Sequence, residues 1–312
     1  MKVSILIVTY QSEDEILNCI KSIYQNVNKI VFEIIIIDNA STDKTIKIIK
    51  DNFPEITIIE NEQNKGFAFA NNLGAKSAKG EFLFFLNPDS LIVENTIGKL
   101  ISIYNMDEKN GIIGPKIKNI NGSIQSPALK IPSMLTTLFE AFGLYLFLPN
   151  TILGYRGRSD IDMDLDVGWV TGACFIIKKQ DYDFLKGFDD NYFLYLEDTD
   201  LCIRMNNYLG KKIIYTPQTS VVHFKAKSSK SDSYVSKLSS YKSKLYYHKK
   251  HNGYLTYLAL FPVLYISILL KLICLIFLMR GKEQIMSQFK VLYKIFSSDH
   301  IEKIKFYNNN SV

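Results

Sequence analysis

Carboxylates stand where apolar runs stop, and residues at such positions can hold metals or move protons. Asp38 follows Ile34 to Ile37, Asp89 follows Phe82 to Leu86 after Asn87 and Pro88, and Glu197, Asp198 and Asp200 follow Phe193 to Leu196. A carboxylate like Asp89, just past a hydrophobic strand, is a hard oxygen ligand suited to Mg²⁺ or Mn²⁺. Adjacent acids such as Glu197 and Asp198 at a helix start can serve as a general base. Each has a plainer reading. Asp38 could form an Asx turn or a helix cap, with Asn39, Ser41 and Asp43 competing for that job, and residues 87–89 could be an ordinary Pro-Asp turn. Glu197 or Thr199 could cap a helix in which Asp200 pairs with Arg204 one turn later. Asn64-Lys65-Gly66 puts a glycine where backbone must approach a ligand, ahead of a helix whose first amides favour anions, and Lys65 adds charge. His223 closes the last apolar run; it is either a packed residue or a metal ligand.

These residues need a frame that brings strand ends together. VSILIV (3–8), EIIIID (33–38), EITIIE (55–60) and EFLFFL (81–86) lack polar alternation, as expected of strands buried on both faces. Between them, Ser12 and Glu15 form a capping-box pattern opening a helix through Cys19 and Ile23, and further helices are expected over 43–52 and 67–78. Strand and helix alternating at this spacing imply right-handed crossovers and a parallel sheet with its ligand loops at the strands' C-terminal ends. Thr9-Tyr10, Asp38-Asn39, Asn64 to Gly66 and Asn87 to Asp89 all fall at those ends.

Residues 110–125 read as a strand and hairpin turned at Asn121-Gly122. From Ser126 to Asp166 the periodicity fails, and Pro127, Pro132, Pro149, the apolar patch 138–148 and Tyr155 to Arg158 suggest a mobile or substrate-contacting insertion rather than a second domain. Pattern resumes with a strand in 167–177, a helix over 178–185, a turn at Gly187-Phe188-Asp189 and a helix from Glu197 to near Gly210. A strand pair, 212–215 and 220–224, ends the globular part.

With 312 residues, 47% of them hydrophobic and 13% aromatic, the chain can bury a sizeable core. Its net charge of +6 gathers after His223, where eight lysines lie between residues 225 and 250. Such a field favours phosphate-bearing partners, either anionic lipid or nucleic acid. The run from Tyr254 to Met279 decides for lipid, since nucleic acid explains the charge but not the apolar stretch beside it. The run is long enough to span a bilayer, yet Pro262 and Lys271 favour an in-plane, monotopic attachment. Cys19, Cys174, Cys202 and Cys274 show no paired spacing, and the first apolar run stops at Val8, too early for a signal peptide. A reducing cytosol and the cytoplasmic face of the membrane follow as the expected location.

The segments VSILIVTYQSEDEI, IIIIDNASTDKT, NKGFAFANNLGAKSAKGEFLFFLNPD, GWVTGACFIIKK and GFDDNYFLYLEDTDLCIR to YTPQTSVVH resemble, in that order, the family 2 inverting glycosyltransferases, most closely their rhamnosyltransferase-like branch. The resemblance covers about residues 1–224. It implies an α/β, GT-A type nucleotide-binding sheet that is mainly parallel and flanked by helices, with a helical membrane-associating tail. The expected divisions are a catalytic domain over 1–224, a basic linker over 225–253 and the tail over 254–312. The implied cofactors are Mg²⁺ or Mn²⁺ and a nucleotide-sugar donor, a dTDP- or UDP-sugar. The implied acceptor is a lipid-linked glycan in surface polysaccharide synthesis.

Carried onto these positions, the resemblance makes Asp38 the acceptor of the donor base's N–H, with Thr9, Tyr10 and Asn39 around it and Lys65 and Gly66 toward the diphosphate. Asp89 becomes a metal ligand in an Asp-x-Asp variant whose acidic first position is taken by Asn87, which offers a neutral carbonyl acting through water or on the ribose. His223 completes the metal shell, Asp198 is the base, and Glu197 orients the acceptor. Trp169, Gly172 and Ala173 resemble the lining of the sugar and acceptor cleft. A dinucleotide oxidoreductase is the competing enzyme class, but no Gly-x-Gly-x-x-Gly follows the first strand. The non-enzymatic alternative is an inactive nucleotide-sugar-binding scaffold on a membrane.

Overall fold

The computed structural model describes residues 2–125, 130–144, 161–224, 234–278 and 281–296. Along the chain run β1 (Lys2–Thr9), α1 (Ile16–Asn26), β2 (Val31–Asp38), α2 (Thr45–Asn52), β3 (Thr57–Glu60), α3 (Phe67–Ser77), β4 (Phe82–Leu86), β5 (Ser90–Ile92), α4 (Thr96–Tyr104) and β6 (Asn110–Lys118). There follow α5 (Met134–Ala141), β7 (Leu165–Asp166), β8 (Cys174–Lys178), α6 (Lys179–Phe184), α7 (Glu197–Leu209), β9 (Lys212–His223), α8 (Tyr234–Asn252), α9 (Tyr254–Phe277) and α10 (Lys282–Phe296). They form two compact units: Met1–Ile131, Gly154–Asp190 and Glu197–Ser228 make the first, and Pro132–Leu153, Asn191–Leu196 and Ser229–Val312 the second.

In the first unit, alternate residues of each central strand enter different cores. Val3, Ile5, Ile7, Ile34, Ile36, Phe82 and Phe84 pack with α1, α2 and α4, whereas Leu6, Ile35, Ile37, Leu83 and Phe85 pack with α3, α6 and α7. Both faces are covered, which is why these strands read as unbroken apolar runs. The strand order is β3-β2-β1-β4-β8-β6-β9-β5, with β7 also pairing β9. The first four strands are mutually parallel, so their C-terminal ends share one edge. Beyond β4 the sheet is mixed: β8 runs antiparallel to β4 and β6, β9 is parallel to β6, and β5 is antiparallel to β9.

Local departures from the sequence reading have physical causes. Residues 212–223 form one strand rather than two, because a register shift between Pro115 and Lys116 absorbs Pro217 without ending β9. Ser12 makes no capping box; its hydroxyl takes the Tyr10 N–H at 3.3 Å, its own N–H donates to Thr45 Oγ1 at 2.8 Å, and the helix starts at Ile16 with no side-chain cap. Helix α4, which the sequence reading did not anticipate, is capped by Asn95, whose side chain accepts from the Gly98 N–H.

The second unit is helical. Met134, Leu138 and Ala141 of α5 pack with Leu238, Tyr241 and Leu245 of α8, Leu260, Leu264 and Ile268 of α9, and Val291 of α10. Part of the expected insertion is therefore a helix, with Ser133 and Thr136 forming its capping box; Pro127, Pro149 and Tyr155 to Arg158 lie outside the described residues. The stretch expected as a basic linker is mostly α8, whose Ser236, Leu238, Ser239, Tyr241, Ser243 and Leu245 are buried while Lys249 and Lys250 are exposed. Among the described residues α9 alone is long and apolar enough to cross a membrane. It buries a stripe at Leu260, Leu264, Ile268 and Leu272 and exposes Leu255, Ile266, Leu270, Ile273 and Phe277. Pro262 lies within the helix rather than ending it.

Candidate active site

At the end of β2, Asp38 is buried and held by three donors. Thr9 Oγ1 and Ser41 Oγ donate to Oδ1 at 2.8 and 2.6 Å, and the Ser41 N–H donates to Oδ2 at 2.7 Å. The side chain thus closes a local turn onto the backbone three residues on, and Oδ2 keeps accepting capacity beyond it. Asn39 ties this end to the next loop: its side-chain amide donates to the Gly66 carbonyl at 3.2 Å and accepts from Asn61 at 2.9 Å. Gly66 has φ 88°, a conformation that favours glycine, and α3 opens behind it with no side-chain cap on its first amides. The Lys65 ammonium lies 4.6 Å from the centre of the Phe69 ring. Tyr10 is 38% exposed beside Thr9, which is buried.

A second group forms because β5 pairs with β9, setting Ser90 opposite His223. That register places His223 Nε2 3.1 Å from Asp89 Oδ1, with Asp89 buried and the Phe224 N–H donating to the Asp89 carbonyl at 2.9 Å. The Asn87 side-chain amide lies 3.4 Å from the same Nε2. Gln125, absent from the sequence reading, orients the ring. Its amide nitrogen donates to the His223 carbonyl at 2.9 Å and to Asn119 Oδ1 at 2.8 Å, which turns its oxygen to Nδ1 at 3.1 Å. An amide oxygen only accepts, so Nδ1 donates to it, and Nε2 is the ring nitrogen turned to the Asp89 oxygen. Two acceptors at that distance repel unless a proton or cation lies by them. A carboxylate and an imidazole so placed fit a divalent cation. Among the described residues no three His, Cys, Asp or Glu side chains converge on one metal position, so such an ion would draw its remaining ligands from water and phosphate oxygens.

The third group opens α7, where Tyr195 and Leu196 have φ 75° and 67°, conformations that cost non-glycine residues energy. Asp198 accepts the Gly172 N–H on Oδ2 at 2.7 Å and the Thr199 N–H on Oδ1 at 2.6 Å. Burial raises its pKa above the usual carboxylate range against those bonds. Glu197 is buried, its Oε2 has no hydrogen-bond partner, and desolvation followed by the Asp198 and Asp200 charges holds its pKa well above the ordinary value. Both acids are held above their ordinary values, Glu197 the more strongly, and they titrate as a pair. Asp200 is structural, as the sequence reading allowed: Arg204 Nε donates to it at 2.7 Å while the guanidinium also donates to the Leu185 and Gly187 carbonyls.

Backbone links join the three groups. The Ala173 carbonyl accepts the Asn87 N–H at 2.9 Å, the neighbouring Gly172 N–H holds Asp198, and the Phe67 ring borders Gly172 just after Gly66. Trp169 is part-buried and donates to the Lys130 carbonyl at 3.3 Å.

A parallel four-strand edge carrying Asp38, Gly66 and Asp89, followed by an antiparallel crossing into a carboxylate-headed helix, is the GT-A glycosyltransferase architecture. The family model described as Glycosyl transferase family 2 matches residues 4–161, and the chain belongs to that family. It is 27% identical over 212 residues to the N-acetylglucosaminyl-diphospho-decaprenol L-rhamnosyltransferase of Mycobacterium tuberculosis, covering 64% of this chain and 68% of that protein. Among solved structures it is similar to the mannosyltransferase PcManGT of Pyrobaculum calidifontis in complex with GDP-Man and Mn²⁺, with TM-score 0.54 and 15% identity over 94% of this chain and 74% of that one. It is also similar to S. aureus TarS, with TM-score 0.51 and 19% identity, covering 72% of this chain and 37% of that one.

Proposed function

We propose that this protein is an inverting glycosyltransferase that moves a sugar, rhamnose by its motifs, from a dTDP- or UDP-linked donor to a lipid-linked glycan acceptor. The reaction takes place at the cytoplasmic face of the membrane, in surface polysaccharide synthesis. The activity named for the mycobacterial relative, an N-acetylglucosaminyl-diphospho-decaprenol L-rhamnosyltransferase, supports the sugar and acceptor. The GDP-mannose and Mn²⁺ bound in the Pyrobaculum enzyme support a nucleotide-sugar donor with a divalent metal.

Asp38 accepts the N–H of the donor base, with Thr9, Tyr10 and Asn39 around it, and Lys65 with the amides after Gly66 faces the diphosphate. Asp89 and His223 would hold Mg²⁺ or Mn²⁺, with Asn87 at the edge of the site; the ion supplies positive charge to the departing diphosphate. Asp198 takes the proton from the acceptor hydroxyl as its oxygen bonds to the anomeric carbon on the face opposite the leaving group. Protonated Glu197 donates a hydrogen bond that orients that hydroxyl.

The observation that carries this reading is the buried Asp89–His223 pair at 3.1 Å. A panel of UDP-, dTDP- and GDP-sugars, read by thermal shift and slow donor hydrolysis with and without Mn²⁺, tests it. A metal-dependent response to one nucleotide class is expected. Binding without any hydrolysis or transfer would instead favour the scaffold alternative.

A further inference from the structure

Within the helical unit, a cavity of about 240 Å³ is lined by Lys237, Lys244, Lys271, Tyr195, Tyr241 and Glu140, among others. Three lysines and one acid line it, and Glu140 pairs with Lys244 at 3.2 Å. Lys271 is the single charged residue in the 24-residue helix α9. An ammonium in such a stretch is costly in an apolar medium and is retained where it has a polar partner or a function. Here it donates to the Tyr241 hydroxyl at 3.0 Å and lies 5.5 Å from the centre of that ring, which turns it toward the cavity. On the same helix Ile266, Leu270 and Ile273 are exposed apolar surface.

We propose that this cavity binds the phosphate group of a membrane lipid, whose chain lies along the exposed apolar face of α9. The excess of lysines supplies point charges for a phosphate, and the hydroxyls of Tyr195 and Tyr241 supply neutral donors. A cavity this small suits a headgroup rather than a whole ligand. The site rests on the membrane reading of α9 and is separate from the donor chemistry of the first unit.

The test uses the full chain in flotation with vesicles of phosphatidylcholine alone and of phosphatidylcholine with phosphatidic acid. Wild type should prefer the second, and inorganic pyrophosphate in solution should compete. Lys271→Met and Lys244→Met should each lose about ten-fold or more of that preference, as expected when a charge-assisted contact is removed. Lys290→Met, the same charge loss at an exposed position on α10 outside the cavity, should lose only the roughly five-fold expected of one lysine near an anionic surface. Equal losses in all three variants, or no competition by pyrophosphate, would overturn the site and leave general surface attraction. Donor hydrolysis should be unchanged in every variant, so its absence from wild type counts against the transferase reading and not against the cavity.

Discussion

The Gly172 N–H donates to Asp198 Oδ2 across 2.7 Å, and the preceding residue of that acid pair, Glu197, keeps a buried oxygen without a partner. One carboxylate is fixed in place by backbone donors; desolvation holds the other toward its protonated form. Asp198→Asn preserves size and leaves Gly172 an amide oxygen to bond, so donor affinity should barely move, while the Thr199 N–H loses its acceptor at a cost of about 1 kcal/mol in stability. Turnover should fall about a hundred- to ten-thousand-fold, as loss of a positioned general base requires. Steady-state kinetics with calorimetry of donor binding decide it. Near-normal turnover, or a dead Glu197→Gln with full donor binding, would transfer the base role to Glu197.

Glu197 gives a stability prediction of definite sign. An acid whose pKa rises on folding is protonated in both states below its unfolded value and costs nothing there. As pH climbs past that value, the unfolded chain loses its proton first and stability falls until the folded pKa is reached. The Glu197 pKa is raised well above the ordinary value, so the wild-type protein should lose stability as pH rises above about 4 on its account, until the folded pKa is reached. Glu197→Gln removes that slope and should stabilise the protein at neutral pH by about 1 kcal/mol or more, even while activity falls. Parallel melting curves for both proteins from acid to neutral pH would contradict this.

Gln125 should govern metal affinity without touching the ion. Its oxygen fixes the His223 ring through Nδ1, and loss of such a partner typically weakens a metal site about ten- to a hundred-fold. Gln125→Leu should weaken Mn²⁺ titration by that factor, and Gln125→Glu, which still accepts from Nδ1 but cannot donate to the His223 carbonyl or to Asn119, should restore it only in part. Asp89→Ala should abolish metal-dependent donor binding with the fold intact. Unchanged Mn²⁺ titration of Gln125→Leu would reduce the glutamine to packing.

How much of this was legible depended on whether a residue's role lies in its own type. The runs around Ile5, Ile35 and Phe84 announce strands because both faces are covered, and Asp38, Asp89 and His223 stand out as polar groups at their ends. Gln125 carries no such mark, since its function comes from a β-hairpin that folds it against a strand 98 residues away. Gly172 acts through a backbone N–H, which every non-proline residue has. Pro217 hid the continuity of β9, because a proline normally breaks a ladder. Helix α8 was hidden by its lysines, which mask a buried stripe of serines, leucines and tyrosine, and α5 by the prolines around it.

Gly187 should be intolerant of any side chain. Its φ is 70°, and an added Cβ would stand 2.2 Å from Asn72 Oδ1, an atom already accepting from Tyr182 and from the Phe188 N–H. The Gly187 carbonyl also receives the Arg204 guanidinium that Asp200 holds. Gly187→Ala should therefore cost about 1–2 kcal/mol in backbone strain and a further 1–3 kcal/mol in displaced contacts. Chemical denaturation giving wild-type stability would refute both terms.

The face of α9 that carries Ile266, Leu270 and Ile273 should decide membrane attachment. These side chains are exposed, whereas Leu264 and Ile268 on the same helix belong to the helical core and Leu272 is buried. Replacing the first three by glutamate should leave the core intact and keep the melting temperature. Each charge placed in hydrocarbon costs about 2.5–3.5 kcal/mol, so together they should eliminate pelleting with anionic vesicles. Leu264→Glu should do the opposite, unfolding the helical unit through a buried charge before any membrane is present. Salt should release the wild-type protein only in part, because screening acts on the lysines and not on apolar burial. Deleting the tail after Ser228 is a poorer test: it strips Met134, Leu138 and Ala141 of their packing partners, so the shortened chain would aggregate for reasons unrelated to lipid. If the triple glutamate variant still pellets with vesicles like wild type, the membrane contact lies elsewhere and α9 is an internal helix of the folded unit.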